Sequence, residues 1–147
     1  MNKKLRVLLI EDNKDDAMLL MRELKRAGYD ITYERHQDAV GVKTALDDGA
    51  WDIVISDYAM PNFTGRDALD IMKDKDIDLP FIIVSGTIGE ETAVNAMRAG
   101  AHDFLIKRNL KRLGPVIERE LREAQNRREN IEDKEELQRW EDRFSTA

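Results

Sequence analysis

The 147-residue sequence contains no cysteine and only three prolines. Without cysteine there is neither a disulfide framework nor a thiolate metal site, as is usual in a reducing compartment. No apolar run approaches the roughly 18 residues that a membrane-spanning helix needs. The run at residues 5–10 is too short for a signal-peptide core, and Glu11 and Asp12 follow it at once. We therefore expect a cytoplasmic protein with no membrane partner.

The sequence also lacks a stripe of basic residues interleaved with aromatics, and its formal net charge is −6. Nucleic-acid binding depends on neutralising phosphates with Lys and Arg, so we expect no nucleic-acid partner. Hydrophobic residues make up 41% of the chain, enough for a buried core. Charged residues make up 37%, more than an ordinary globular domain carries. The length and this excess predict one domain with a charged segment outside its core.

Short apolar runs alternate with segments of helical period. Four runs rich in β-branched residues predict strands buried on both faces, and a fifth run is weaker. The four runs are residues 7–10, 53–55, 81–84 and 104–106, and the weaker one is 31–33. Apolar residues spaced at i, i+3 and i+4 predict helices at 15–27, 38–48, 64–74 and 90–99. This alternation predicts an α/β domain with a five-stranded parallel sheet and right-handed crossovers.

A fifth helix is predicted to begin at Gly114-Pro115, because proline is tolerated at the first helical position. Neither Gly nor Pro interrupts the chain from there to about Phe144. The apolar positions that suit docking on the sheet are Ile117, Leu121 and Ala124. Beyond them the chain is mostly charged and has no sustained heptad, so a stable coiled coil is not expected. We predict a domain over 1–125 and a charged helical extension or linker over 126–147.

Polar side chains follow four of the predicted strands. Glu11 and Asp12 follow the first, Asp57 the third, Ser85 the fourth and Lys107 the fifth. Ligands of open α/β sheets bind outside the carboxyl ends of the strands, so these side chains are expected to converge. Three converging carboxylates repel one another unless a cation lies between them. Mg²⁺ is the natural cation, because it accepts carboxylates and keeps sites for phosphate oxygens.

The set suits phosphoryl transfer. A carboxylate can act as a nucleophile and form an aspartyl phosphate, the role we assign to Asp57. Mg²⁺ and Lys107 would neutralise the phosphoryl group, and the Ser85 hydroxyl would donate to one of its oxygens. Each residue alone has an ordinary interpretation as a cap, a turn residue or a surface lysine. All of them together, at the ends of the expected strands, predict a phosphoacceptor site.

Several segments resemble the receiver domain of response regulators, and the resemblance covers residues 5 to about 123. They are Val-Leu-Leu-Ile-Glu-Asp-Asn (7–13), Asp-Ile-Val-Ile-Ser-Asp-Tyr-Ala-Met-Pro (52–61), Gly65, Phe-Ile-Ile-Val-Ser-Gly (81–86) and Ala-Gly-Ala-His-Asp-Phe-Leu-Ile-Lys (99–107). The resemblance implies a doubly wound, flavodoxin-like sheet of order 2-1-3-4-5. It implies that Asp57 is phosphorylated from the phosphohistidine of a sensor histidine kinase or phosphotransfer protein.

The resemblance also implies roles for neighbouring residues. Glu11, Asp12, Asp57 and the backbone carbonyl of Ala59 would bind Mg²⁺, while Ser85 and Lys107 would contact the phosphoryl group. Phe104 would turn inward with Ser85 when the protein switches, although a core aromatic is the simpler interpretation of Phe104. Ala59 and Thr87 would border the path of attacking water and modulate dephosphorylation.

The switch would change the face built by the fourth helix, the fifth strand and the fifth helix. In the family this face signals to a partner or linked domain and is the usual homodimer surface. Residues 140–147 resemble the helix that leads into PAS sensor domains, which would imply a linked PAS or kinase module. On this interpretation the protein is a signalling phosphoacceptor that catalyses only its own phosphorylation and dephosphorylation.

Three alternatives remain open at this point. A haloacid-dehalogenase-like phosphatase also uses an Asp nucleophile and Mg²⁺, but that family has its nucleophile after the first strand and a second Asp two residues later. Here Asp57 follows the third strand, and position 59 is alanine. A flavodoxin-like FMN carrier needs a Ser/Thr-rich phosphate loop where residues 11–16 are acidic. A receiver that only docks partners would not need the intact acid, Ser and Lys set.

Overall fold

The structure is a computed structural model that describes residues 3–86 and 89–144. Its centre is a sheet of five parallel strands in the order β2-β1-β3-β4-β5. The strands are β1 (Lys3–Ile10), β2 (Tyr29–His36), β3 (Ile53–Ser56), β4 (Phe81–Ser85) and β5 (Asp103–Ile106). The predicted doubly wound fold is therefore confirmed, including the order of its strands.

Five helices cover the two faces of the sheet. They are α1 (Lys14–Arg26), α2 (Ala39–Asp48), α3 (Gly65–Asp74), α4 (Glu90–Arg98) and α5 (Leu113–Phe144). The first three begin after side chains that accept a backbone N–H of the first turn, and these caps are Asn13, Asp38 and Thr64. The observed ends of α1 to α4 lie within one residue of the predicted ends.

Successive side chains of a strand point to opposite faces of the sheet, so the core consists of two clusters. In β1, Val7 and Leu9 face a cluster shared with α1 and the start of α5. Leu8 and Ile10 face the other cluster, which is shared with α2, α3 and α4. All four side chains are fully buried. A continuous apolar run in the sequence thus serves both faces, as expected for a strand in the middle of a parallel sheet.

The edge strand β2 is longer than its sequence signal. The apolar run predicted only residues 31–33, but Tyr29–His36 pairs along the whole of β1. Of its eight residues only Tyr29 is buried. An edge strand gains its hydrogen bonds from one neighbour without burying both faces, so polar residues are tolerated there. This is why hydropathy alone underestimates its length.

Helix α5 begins two residues earlier than predicted. A 3₁₀ turn over Leu110–Arg112 leads directly into it, and its first residue, Leu113, is fully buried. Pro115 therefore occupies the third helical position, where its missing N–H costs nothing because the first four N–H groups of a helix have no intrahelical partner. The helix then runs unbroken for 32 residues to Phe144. Within the described parts of the chain, no helix is both long and apolar enough to cross a membrane.

Candidate functional site

Three backbone hydrogen bonds align the ends of the strands at the candidate site. The amide of Glu11 donates to the carbonyl of His36 (3.1 Å), and the amide of Asp57 donates to the carbonyl of Ile10 (2.8 Å). The amide of Lys107 donates to the carbonyl of Ser85 (2.9 Å). Each bond extends strand pairing by one residue beyond the strands. The predicted acids and the lysine are therefore brought to one edge of the sheet by strand register.

The Lys107 ammonium lies among three carboxylates. Its Nζ is 2.6 Å from Oε1 of Glu11, 2.7 Å from Oδ2 of Asp16 and 3.1 Å from Oδ2 of Asp57. It donates hydrogen bonds to Asp16 and Asp57. The contact with Glu11 is an ion pair outside hydrogen-bonding geometry. Two of these partners belong to the predicted site, whereas Asp16 was not predicted.

Glu11, Asp12 and Asp57 have the arrangement of a metal site. One carboxylate oxygen from each lies within 4.8 Å of the others. Glu11 is fully buried, and neither of its oxygens accepts a hydrogen bond from any residue that the structure describes. Lys107 lies 2.6 Å from only one of these oxygens, so the buried carboxylate is incompletely compensated, and a hard divalent cation would relieve the remaining cost. The residues present therefore fit Mg²⁺.

The ionisation of the site reflects this crowding. Burial raises the pKa of Glu11 to about 7, with a smaller rise from the Asp57 charge, and Lys107 opposes both. Burial alone would lower the pKa of Lys107, but its contacts with Asp16, Glu11 and Asp57 outweigh burial and raise it. Lys107 is therefore a fixed positive charge at neutral pH. A cation beside Glu11 would favour its ionised form.

The backbone around Asp57 is held on both sides. The hydroxyl of Ser56 donates to the Asp57 carbonyl at 2.8 Å, and both residues are buried. The first residue of α3 is Gly65, and its amide donates to the carbonyl of Tyr58. A Cβ at position 65 would lie 2.8 Å from the Asp57 carbonyl oxygen, closer than side chains pack. Glycine is thus needed there because the helix approaches the Asp57 backbone so closely.

The remaining predicted residues lie around this cluster. Ser85 ends β4 and is buried, and Ala59 is exposed in the loop after Asp57. Phe104 in β5 is half-buried and packs against the core beside α4. Thr87 lies outside the described residues. No contact joins the Ser85 hydroxyl to Asp57 among the described hydrogen bonds, so its role toward a phosphoryl group stays a prediction.

Sequence reasoning missed Asp16, which contacts Lys107, and Arg35, which donates to the backbone carbonyl of Glu11 at 3.0 Å. Asp16 is the one that touches a predicted site side chain. It lies in the first turn of α1, where its amide donates to the Asn13 cap. The available signal was the predicted helix at 15–27, whose first turn starts close to Glu11 and Asp12 and therefore lies at the same edge of the sheet. The neighbouring Asp15 is exposed. Which of the two acids faces Lys107 depends on how α1 is oriented on the sheet, and the sequence does not report that.

The fold and this cluster together define a receiver domain. The response regulator receiver domain family matches residues 7–118. The chain therefore belongs to this family, whose members are the phosphoacceptor modules of two-component signalling and interact with histidine kinases. The phosphatase and FMN-carrier alternatives are set aside by this membership.

Particular relatives agree with this membership. The chain is 32% identical over 128 residues to the DNA-binding transcriptional regulator NtrC of Rhizobium meliloti, covering 86% of this chain and 26% of NtrC. Among solved structures, full-length FixJ from B. japonicum has 32% identity and a TM-score of 0.73, with coverage of 84% of this chain and 60% of FixJ. NtrX from Brucella abortus has 30% identity and a TM-score of 0.76, with coverage of 90% and 29%. The chain thus spans only part of the length of these relatives.

Proposed function

We propose that Asp57 takes a phosphoryl group from the phosphohistidine of a sensor histidine kinase or phosphotransfer protein. The single observation that carries the proposal is the convergence of Glu11, Asp12 and Asp57 with Lys107 at the carboxyl edge of the sheet. In the transfer, a carboxylate oxygen of Asp57 forms a bond to phosphorus as the donor's N–P bond breaks. The imidazole nitrogen keeps the electron pair and takes a proton from solvent.

Mg²⁺ would be held by Glu11, Asp12 and Asp57, with the backbone carbonyl of Ala59 as a further ligand. When bound, it supplies positive charge against the phosphoryl oxygens. Lys107 would supply a second positive charge at the phosphoryl group, since it already contacts Oδ2 of Asp57. Ser85 would donate its hydroxyl to a phosphoryl oxygen. The held backbone of Asp57 keeps the nucleophile in place, so little reorganisation accompanies attack.

Phosphorylation would then be signalled through the face formed by α4, β5 and α5. Exposed apolar side chains on this face support the proposal, and they are Val94, Met97 and Ile106. Ser85 and Phe104 would move toward Asp57 and reshape the face, which could then hold a partner or a second copy of the chain. Ala59 and Thr87 would tune how quickly water removes the phosphoryl group.

Residues 126–147 would act as a charged helical extension or linker, with 1–125 as the receiver domain. Support comes from α5, which is continuous through this boundary while its side chains from Arg128 to Arg143 are exposed. A helix without breaks can transmit a displacement of the receiver to a linked PAS or kinase module. Residues 145–147, the end of the PAS-like match, lie outside the described residues.

The test is intact mass spectrometry after incubation with acetyl phosphate, with and without Mg²⁺. We expect the wild type to gain one phosphoryl group in a Mg²⁺-dependent way and Asp57→Asn to gain none. Asp74→Asn is the matched control, because Asp74 is an exposed aspartate at the end of α3. It should behave like the wild type.

Two results would contradict the proposal. An equal adduct on Asp57→Asn would mean that another residue accepts the phosphoryl group. If the wild type gave no adduct on rapid quenching and no binding of beryllofluoride with Mg²⁺, the receiver would act only by docking. Beryllofluoride is the useful second probe because it mimics the phosphoryl group without hydrolysing.

A further inference from the structure

We propose that Asp16 is a positioning residue that competes with the phosphoryl group for Lys107 and so restrains phosphorylation of this receiver. The inference rests on the proposed function of Asp57 and adds a regulatory contact to that site. It starts from the hydrogen bond between Lys107 Nζ and Asp16 Oδ2, at 2.7 Å. This bond is shorter than the 3.1 Å bond from the same ammonium to Asp57.

The two residues are 91 positions apart in the sequence, and tertiary structure brings them together. Asp16 is fixed by the first turn of α1, and Lys107 by its backbone bond to Ser85. The Asp16 side chain is 32% exposed and that of Lys107 only 19% exposed. A pair that is partly withdrawn from water is screened less than a surface ion pair. The contact is therefore strong enough to influence where the ammonium lies.

Competition concerns the position of the Lys107 ammonium. Three carboxylates surround it, and it donates hydrogen bonds to two of them, Asp16 and Asp57. Mg²⁺ would take oxygens of Glu11 and Asp57 and so release two of these partners. Asp16 does not belong to the cluster of carboxylates that suits a metal. It is therefore the partner that would still hold Lys107 when a phosphoryl group arrives on Asp57.

Neutralising Asp16 should let the phosphoryl group engage Lys107 fully. We expect Asp16→Asn to bind beryllofluoride, with Mg²⁺ present, about threefold to tenfold more tightly than the wild type. Its phosphorylation rate with acetyl phosphate should rise by a similar factor. Binding is measured by isothermal titration calorimetry at fixed Mg²⁺, which gives a readout that is independent of turnover.

Asp15→Asn is the matched control. Asp15 precedes Asp16 in the same helical turn, is exposed and carries the same charge. Its neutralisation changes the net charge and the helix terminus equally but leaves the contact with Lys107 intact. We expect its beryllofluoride affinity to stay within about 1.5-fold of the wild type. Equal gains in the two variants would overturn the proposal in favour of a general charge effect.

A double-mutant cycle then tests whether Asp16 acts through Lys107. The gain from Asp16→Asn should disappear when the same change is made in Lys107→Ala. A gain that persists there would mean that Asp16 repels the phosphoryl group directly, which contradicts competition. An unchanged or weaker affinity of Asp16→Asn itself would overturn the proposal as well.

The wild-type protein offers a spectroscopic test that needs no substitution. Addition of beryllofluoride with Mg²⁺ should shift the ¹³C resonance of the Asp16 carboxyl group as Lys107 leaves it, with Asp15 as the internal reference. An unmoved Asp16 resonance on a protein that binds beryllofluoride would refute the competition alone. A wild type that binds no beryllofluoride and gains no phosphoryl group would instead refute the proposed function.

Discussion

The two halves of α5 have the same backbone conformation but opposite surroundings. In the first half, Leu113, Ile117 and Ala124 are almost completely buried. In the second half, every side chain from Arg128 to Arg143 is exposed. Ile117 and Ile131 make the contrast sharp, because they lie 14 residues apart on the same face of the helix, yet Ile131 is 52% exposed.

This difference shows that two kinds of force hold one helix. Burial of apolar surface stabilises the first half, so polar substitutions at its buried positions should be strongly destabilising. The second half depends on good helix formers and on pairs four residues apart, such as Gln125 with Glu129 and Gln138 with Asp142. A helix of this second kind is marginal by itself in water. We therefore expect the exposed half of α5 to be less stable than the buried half.

The largest expected effect is a difference in the free energy of unfolding when the same substitution is made in each half of α5. Ile117→Ala should lower the free energy of unfolding by about 2–5 kcal/mol, because it leaves a cavity in the core. Ile131→Ala should change it by less than about 0.5 kcal/mol, because it removes no packed surface and alanine favours the helix. Urea denaturation of both variants measures this. Similar losses in the two would mean that the extension is packed as tightly as the domain.

The second largest expected effect is a pH dependence of the free energy of unfolding. It comes from Glu11, whose burial raises its pKa from 4.5 to about 7. Between these values the folded protein keeps a proton that the unfolded chain releases, so stability falls as pH rises from 4.5 to 7. Without Mg²⁺ the loss should reach up to about 3 kcal/mol, and it should be absent in Glu11→Gln. Added Mg²⁺ should reverse it at pH 7.5.

Urea denaturation in EDTA across this pH range measures the Glu11 effect. A chain truncated after residue 128 is the appropriate companion, because it keeps the acidic cluster and lacks most of the exposed half of α5. It should show the same pH dependence. A stability that rises with pH in the wild type relative to Glu11→Gln would contradict the assigned direction.

The smallest expected effect concerns the junction of the two halves. Arg127 donates two hydrogen bonds to the Asp78 carboxylate, both at 3.2 Å, and so joins α5 to the loop before β4. Arg127→Ala should cost only about 0.5 kcal/mol of global stability, because the pair is exposed to solvent. It should nevertheless speed amide hydrogen exchange in the helix beyond it.

The neighbouring Arg128→Ala is the control for this prediction, because it removes the same charge from an exposed position. Exchange beyond residue 128 should be unchanged in that variant. Equal acceleration in the two would show that Arg127 does not act as a tether.

The sequence predicted most of the fold because strands and helices here have strong local signals. The runs at 7–10, 53–55 and 81–84 are so apolar that only a doubly covered sheet accommodates them. The pattern of apolar residues failed to predict element ends where contacts with other elements stabilise residues of weak strand or helix preference. β2 was underestimated because pairing with β1 replaces apolar burial, and the start of α5 was missed because a 3₁₀ turn leads into it.

Residue type and position by themselves predicted the acids, the serine and the lysine of the candidate site, since strand ends in a parallel sheet must meet at one edge. Only the tertiary structure decided that Asp16 and not Asp15 contacts Lys107, and that Gly65 lies against the Asp57 carbonyl. It also decided that Ile117 is buried and Ile131 exposed. The physical reason is that sequence patterns report which face of an element is apolar. Contact and burial depend on how closely another element approaches that face.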